Sequence, residues 1–383
     1  MGKSNKVANY VLISGLNITD NNRGTAALGY GALSFLRNKD YLRTKDEIIT
    51  IHRVKNIFKY KLKITDKKCR VNQTDAVFRV LNVFVLEFYL YEKLGFYIPL
   101  TPFGKVIRNL RLVAAINGGD GFTDIYGKQL FESRLHDIKI ARKKQVPYIF
   151  LPQTVGPFSE GLIYEEAKDI MKNADVVYVR DNRFESKLKQ QGITYELTKD
   201  LSAYMDPEPF PFKVPQKAVG LNVSGLAYFN GYHNLANHFD AYPKLIDNII
   251  EFFTRKNITI YLIPHSYNFE NPEINNDDME ACRLVYNKSK NKKNLVFVND
   301  NLTPPQVKYV ISKMTFFIGT RMHANFAAIF TKVPLFGLSY SFKFAGAFES
   351  NGISTSNLYD IKDLEEKDIP KVINAISMSF DNC

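Results

Sequence analysis

Phe317-Ile318-Gly319-Thr320-Arg321-Met322-His323-Ala324-Asn325-Phe326-Ala327-Ala328 is the stretch that decides the fold. The apolar run Phe316 to Ile318 reads as a buried strand. Gly319 and Thr320 interrupt it, and a helical pattern runs from Ala324 to Phe330. Arg321 and His323 therefore fall where a strand ends and a helix begins, the place where open α/β sheets hold ligands. A helix N-terminus presents unbonded N–H groups and a positive dipole to an anion. Arginine adds a forked donor suited to phosphate or carboxylate, and histidine moves protons near neutral pH. The stretch predicts an anion-handling corner with Arg321 and His323 as catalytic candidates. Taken alone, so short a motif also fits a surface ion pair and a capping or core histidine.

Working outward, the same grammar recurs. Strand patterns at Tyr10–Ser14, Ile48–Ile51, Leu112–Ile116, Pro147–Leu151 and Val176–Val179 alternate with helical patterns at Thr25–Leu36, Lys128–Lys143, Leu162–Asn173 and Arg183–Gln191. Four prolines between Asp206 and Pro215 stop helix and central strand alike. Beyond them come strands at Ala218–Val223, Ile258–Ile263 and Leu295–Val298, with helices at Tyr242–Arg255, Asp277–Lys288 and Pro304–Lys313. Val333–Phe336 is read as the last strand. The alternation predicts an α/β fold of two Rossmann-like domains facing across a cleft, residues 1–205 and 216–383, joined by a linker at 206–215. Repetition is architectural only, since no residue-level repeat accompanies it.

Polar clusters share one address, the carboxyl ends of the expected strands: Gly118-Gly119-Asp120, Gln153 to Pro157, Arg180-Asp181, Ser224-Gly225, Pro264-His265-Ser266 and Arg321-Met322-His323. Asp120 suits a general acid or base, or a ligand for sugar hydroxyls, and equally a helix cap. Gln153 suits a hydroxyl partner or a turn residue. Arg180-Asp181 suits an anion clamp or an ion pair with Asp181 as N-cap. His265 is either a proton shuttle or structural, and Asp277, Asp278 and Glu280 form an acidic first helical turn rather than a metal site. The inventory fits transfer chemistry on an anionic donor without a metal.

The formal charge is +12, which favours an anionic partner. Nucleic acid is not expected, because basic residues are spread along the chain and no nucleic-acid module is present. Cys69, Cys282 and Cys383 are far apart in sequence, which fits a reducing compartment. The N-terminal residues are polar with no apolar signal core, so the expected location is cytoplasmic. The densest basic region, Arg53 to Arg79, precedes the apolar segment Val80–Tyr91, too short to span a membrane. That pairing fits peripheral docking at the inner face of a membrane. A buried helix after a solvated loop fits it better.

Together, Asn22-Arg23-Gly24-Thr25-Ala26-Ala27, Gly118-Gly119-Asp120, Leu151 to Pro157, Val179-Arg180-Asp181, Asp200-Leu201-Ser202 and Gly319 to Ala324 resemble, in order and spacing, the polysaccharide pyruvyl transferase family. The first loop departs from the N-x-G-D-E form common there. The resemblance implies a GT-B-like fold, with the acceptor on the first domain and the donor on the second. It implies transfer of a pyruvyl group from phosphoenolpyruvate to two hydroxyls of a sugar in a surface polysaccharide or its precursor, giving a ketal and phosphate. It assigns His323, Asp120 and Arg321 to catalysis, and Arg321, Arg180, His265 and Ser224 to the donor. Asn22 and Gln153 go to the acceptor. Phosphoenolpyruvate is then a co-substrate, and no cofactor or metal is expected. A nucleotide-sugar glycosyltransferase and a non-catalytic glycan-binding relative remain as alternatives. The acceptor is left open between free, nucleotide-bound and lipid-linked forms.

Overall fold

The structure, a computed structural model, describes residues 9–58, 61, 63–118, 122–290, 292–341 and 343–383. The chain forms two compact units, one of Met1–Ile18 with Leu28–Tyr204, the other of Thr19–Ala27 with Met205–Cys383. The division at Tyr204 falls beside the proline cluster. The polar loop Thr19–Ala27 instead groups with the second unit, which separates it from the strand that precedes it.

The first unit runs β1 (Asn9–Ser14), α1 (Arg23–Asn38), β2 (Asp46–Val54), β3 (Ile64–Val71), β4 (Thr74–Phe84), α2 (Val85–Leu94), α3 (Pro102–Asn109), β5 (Leu110–Ala115), α4 (Lys128–Lys144), β6 (Tyr148–Gln153), α5 (Leu162–Lys172), β7 (Val176–Val179), α6 (Glu185–Gln190) and β8 (Tyr195–Leu197). Its sheet has the order β3-β4-β2-β1-β5-β6-β7-β8, parallel except for the β3–β4 hairpin. The segment Val80–Tyr91, expected as one buried helix, is instead the end of β4 and the start of α2. A helical reading failed because Val80–Phe84 is part of a seven-residue pairing of β4 with β2, Phe78–Phe84, and that pairing overrides local pattern.

The second unit runs β9 (Ala218–Asn222), α7 (Gly225–Phe229), α8 (Tyr242–Arg255), β10 (Thr259–Leu262), α9 (Asp278–Lys288), β11 (Leu295–Phe297), α10 (Pro304–Ser312), β12 (Phe316–Gly319), α11 (Met322–Phe330), β13 (Leu335–Ser339), α12 (Lys343–Glu349), β14 (Leu358–Asp360) and α13 (Ile369–Asp381). Sheet order is β11-β10-β9-β12-β13-β14, all parallel. In chain order that is 3-2-1-4-5-6, the doubly wound arrangement. β13 is not the last strand: β14 follows it, and α13 packs Phe380 against Phe253 and Phe316.

Alternation along each strand explains the two faces. In β12, Phe316 and Ile318 join one core with Leu245, Ile249 and Phe253 of α8 and Val372 and Ile376 of α13. Phe317 turns to the other, with Val307 and Val310 of α10 and Ala324 and Ala328 of α11. A strand buried on both faces needs an unbroken apolar run, which is why Phe316–Ile318 carries no polar residue. Each such side chain contributes roughly 1.5–3 kcal/mol by leaving water. Among the described residues no helix is long and apolar enough to cross a membrane.

Candidate active site

The second unit's switch point lies between β9 and β12, where Asn222 stands opposite Gly319. Asn222 is fully buried and ties three strand ends together. Its Oδ1 accepts from the Arg321 N–H at 2.8 Å, and its Nδ2 donates to the Ile263 carbonyl at 3.0 Å and to Asp278 Oδ2 at 3.2 Å. Arg321 itself is extended, at φ −84° and ψ 133°, and forms the N-cap of α11.

Asp278 is the hub. Its carboxylate accepts from Arg321 Nε at 3.1 Å and Nη2 at 2.8 Å, Gly225 N–H at 2.8 Å, His265 N–H at 3.1 Å and Ser266 N–H at 3.0 Å. Arg321 Nη2 also donates to the Asn276 carbonyl and Oδ1, both at 2.8 Å. Asp278 and Asn276 thus take Nε and Nη2, and neither takes Nη1. A Cβ on Gly225 would lie 2.3 Å from the Asp277 carbonyl oxygen, so only glycine lets α7 start this close to α9. Asp277 is the α9 N-cap, accepting from the Glu280 N–H at 3.1 Å.

Ser224 is fully buried, and its N–H donates to Tyr242 Oη at 3.1 Å. Burial pushes the Tyr242 phenol up, so its hydroxyl stays protonated and is free to donate to Thr320 Oγ1, 2.7 Å away. Among the described residues, Ser224 Oγ and His265 Nδ1 are buried without a hydrogen-bond partner. Burial first, then the positive fields of His323, Arg321 and Arg23, hold the His265 imidazole well below its usual pKa.

The loop Asp20–Gly24 completes this corner from a distant part of the sequence. Asn22 bridges Ser266, the Arg23 N–H donates to the His265 carbonyl at 3.0 Å, and the Tyr267 N–H donates to the Asn21 carbonyl at 3.0 Å. The Arg23 guanidinium lies 4.0 Å over the Tyr267 ring. It donates to the Leu302 carbonyl at 2.8 Å and to Asn301 Oδ1 at 2.9 Å. Asn22 Oδ1 accepts from the Gly24 N–H at 2.9 Å. A Cβ on Gly24 would meet His323 Cβ at 2.6 Å, so the first turn of α1 rests directly on His323. The half-buried His323 ring stands edge-on to Phe326 at 5.5 Å.

Arg321, His323, His265, Ser224 and Asn22 therefore all lie in the second unit. Arg180 and Gln153 lie in the first, at the ends of β7 and β6. Arg180 pairs with buried Asp200 at 2.6 Å rather than with Asp181, and its Nε donates to Thr154 Oγ1 at 3.0 Å. Asp181 accepts from Thr154 Oγ1 at 2.5 Å. Gln153 Nε2 donates to the carbonyls of Ala115 at 3.0 Å and Leu151 at 2.9 Å. Its Oε1, like Asn117 Nδ2, is buried with no partner among the described residues. Asp120 lies outside the described residues. Sequence reasoning missed the roles of Arg23, Asn117 and Asp278. Asp278 looked like an ordinary acid of a helical first turn, and only tertiary contact reveals its cation.

Two α/β units built on mainly parallel sheets, the second with a cation-rich corner at its switch point, define a GT-B-type fold. The chain belongs to the polysaccharide pyruvyl transferase family, whose sequence profile matches residues 22–342. Solved structures of the same fold include UDP-GlcNAc 2-epimerase from Methanocaldococcus jannaschii, with TM-score 0.55, 10% identity, and coverage of 97% of this chain and 93% of that one. The putative UDP-N-acetylglucosamine 2-epimerase of Listeria monocytogenes gives TM-score 0.53, 10% identity, and coverage of 98% and 90%. At that identity the likeness is one of fold. No curated protein matches the chain significantly.

Proposed function

We propose that the protein moves a pyruvyl group from phosphoenolpyruvate to two hydroxyls of a sugar in a surface polysaccharide or its precursor. The observation that carries this reading is the cluster of Arg321, Arg23, His265 and His323 around Ser224 Oγ and His265 Nδ1, both buried and unbonded among the described residues. The Asp278 carboxylate beside them is taken up by Arg321 and by the N–H groups of Gly225, His265 and Ser266. A corner so charged, with Ser224 Oγ and His265 Nδ1 still to be bonded, suits a small polyanion bearing phosphate and carboxylate.

In this reading Arg321, held by Asp278, Asn276 and Tyr340, lends its positive charge to the donor. Ser224 donates its hydroxyl proton to a donor oxygen, and neutral His265 bonds a second one. His323 is the acid–base group. Protonation of the donor's methylene carbon makes the neighbouring carbon electrophilic, and one sugar hydroxyl attacks it. The bond from that carbon to the phosphate oxygen breaks, and the second hydroxyl closes the ketal. Of the two hydroxyl protons, one balances the new methyl hydrogen and the other leaves with phosphate. Asp120 is assigned the second acid–base role, and Asn22 contacts the acceptor. In the first unit, Asn117 Nδ2 and Gln153 Oε1, each buried without a partner among the described residues, are a donor and an acceptor for sugar hydroxyls.

Ser224→Ala tests the donor site without disturbing the fold, because Ser224 Oγ bonds nothing among the described residues. Deleting an unsatisfied hydroxyl leaves stability nearly unchanged, while a lost bond to a charged ligand costs about 1.5–3 kcal/mol. Calorimetric titration should show phosphoenolpyruvate binding to the wild type and about tenfold or greater weakening in the variant. Binding of UDP- or GDP-sugars with no response to phosphoenolpyruvate would overturn the reading.

A further inference from the structure

We infer that the turn between α2 and α3 of the first unit is a preformed foot that docks on an anionic phospholipid surface. The turn lies where the strands begin: α3 runs straight into β5, and the last turn of α4, which precedes β6, packs beside it. Lys143 of α4 donates to the Lys93 carbonyl at 2.8 Å, and a Cβ on Gly95 would lie 3.3 Å from its Cε. Four large apolar side chains are exposed within seven residues here: Leu94 at 73%, Phe96, Ile98, and Leu100 at 84%. Single exposed apolar residues are ordinary, but a contiguous group marks a place of contact. The backbone that carries them is held. Gly95, left-handed at φ 76°, closes α2 by donating to the Tyr91 carbonyl at 2.8 Å. Tyr97 turns inward against Tyr91, with ring centroids 5.8 Å apart. The Ile98 carbonyl accepts from the Thr101 N–H at 3.1 Å, and the Pro99 carbonyl from Arg108 Nη2 at 2.8 Å. Thr101 caps α3 by accepting from the Gly104 N–H at 3.0 Å, and a Cβ on Gly104 would overlap the Ile98 carbonyl. The segment is tied at its backbone while its apolar side chains are open to solvent, so little order has to be imposed on docking.

Charge selects the occupant. From Lys93 to Asn109 the chain holds Lys93, Lys105 and Arg108 and no Asp or Glu. All three are exposed, as is Lys143. Arg108 reaches the Pro99 carbonyl, and Lys105 lies one turn before it on α3, so both stand on the face beside the foot. Lys143 and Arg108 donate to main-chain carbonyls, which leaves their charge uncancelled. The two acids of α2 are engaged: Glu87 accepts from Thr101 Oγ1, and the almost fully buried Glu92 faces His136 Nδ1 at 2.5 Å. Aliphatic and aromatic tips flanked by basic charge match the boundary of an anionic leaflet, where the tips enter the acyl region and the cations meet phosphate. A second copy of the chain would set these cations against their own kind. The run Arg53–Tyr91, which the sequence singled out for such docking, is divided between sheet and helix, and the foot begins after it. Docking there leaves the carboxyl ends of the same unit's strands, with Gln153 and Arg180, open.

Cosedimentation of the full chain with vesicles tests this, using equal parts phosphatidylglycerol and phosphatidylcholine against phosphatidylcholine alone. The wild type should pellet with the anionic vesicles about tenfold or more strongly than with the neutral ones. Phe96→Ser with Leu100→Ser, and separately Lys93→Glu with Lys105→Glu, should each cut that binding about tenfold. All four side chains are exposed, so circular dichroism melts should stay unchanged. The chain has no tryptophan, so Phe96→Trp supplies a lone reporter whose emission should move to the blue on anionic vesicles. Any of four results would overturn the inference: no binding to anionic vesicles, equal binding to both lipids, binding that either variant pair retains, or binding that leaves the Phe96→Trp emission unmoved. So would a dimer at sedimentation equilibrium that Phe96→Ser with Leu100→Ser dissolves, since the face would then be covered by a second copy.

Discussion

Arg321→Ala is expected to lower the melting temperature by roughly 10 °C and to abolish turnover. Arg321 is 7% exposed and Asp278 is fully buried. Removing the guanidinium leaves a carboxylate in the interior without its cation, a change that costs about 3–5 kcal/mol in comparable sites. The lower end applies here, because Asp278 keeps four other donors from Asn222, Gly225, His265 and Ser266. A loss of about 3 kcal/mol in a unit of this size gives the stated shift. Asp278→Asn in the Arg321→Ala background removes the stranded charge and should recover part of the stability without recovering activity. Melting curves of the three proteins check this. An Arg321→Ala protein that melts with the wild type would show that the pair does not hold the strand ends together.

His323→Gln separates chemistry from architecture. Turnover should fall by about 10²–10⁴, the range for removal of a positioned acid–base group, while the melting temperature stays close to that of the wild type. The half-buried ring lies under the first turn of α1, and glutamine fits that space with less bulk. His265 cannot take over. Burial first, then the charges around it, hold its pKa well below the usual value, so at neutral pH it is not an imidazolium acid. The same depression sets a pH dependence. Below the ordinary value of 6.5 the unfolded chain binds a proton at His265 that the folded chain refuses. Stability from this residue is therefore complete above pH 6.5 and declines as pH falls below it. A pH–rate profile of kcat/KM should lose its histidine-dependent limb in His323→Gln. It should keep that limb in His265→Asn, even where the latter binds donor more weakly.

Much of this architecture is legible in the residues. The runs Phe316–Ile318 and Ala218–Val223 announce strands buried on both faces, and the prolines from Pro207 to Pro215 announce the break between units. Legibility fails where long-range pairing decides. The hairpin β3–β4 is polar along β3, with Lys67, Lys68 and Arg70, so its pattern is that of a solvated edge rather than of a half-buried strand. The site shows the same limit. Arg321 and His323 stand out because strand and helix meet there, and Ser224 and His265 because they follow apolar runs. That Asn22–Gly24 would lock onto Ser266 and His323 could not be read from sequence, since more than two hundred residues separate them. Arg180 and Asp181 looked like partners, yet the arginine reaches past its neighbour to Asp200. Adjacent residues at a strand end point in different directions, so adjacency is a poor guide to pairing.

Pyruvyl transfer is proposed at the corner formed by Ser224, His265, Arg321 and His323. It is tested most directly by incubating the protein with phosphoenolpyruvate and a panel of sugar acceptors, free, nucleotide-bound and lipid-linked. Inorganic phosphate and the ketal methyl signal are then followed together by NMR. The account predicts phosphate release that depends on one acceptor class and matches ketal formation one to one, and that His323→Gln suppresses. Glycosyl transfer from a nucleotide sugar to the same acceptors, with phosphoenolpyruvate left intact, would contradict it.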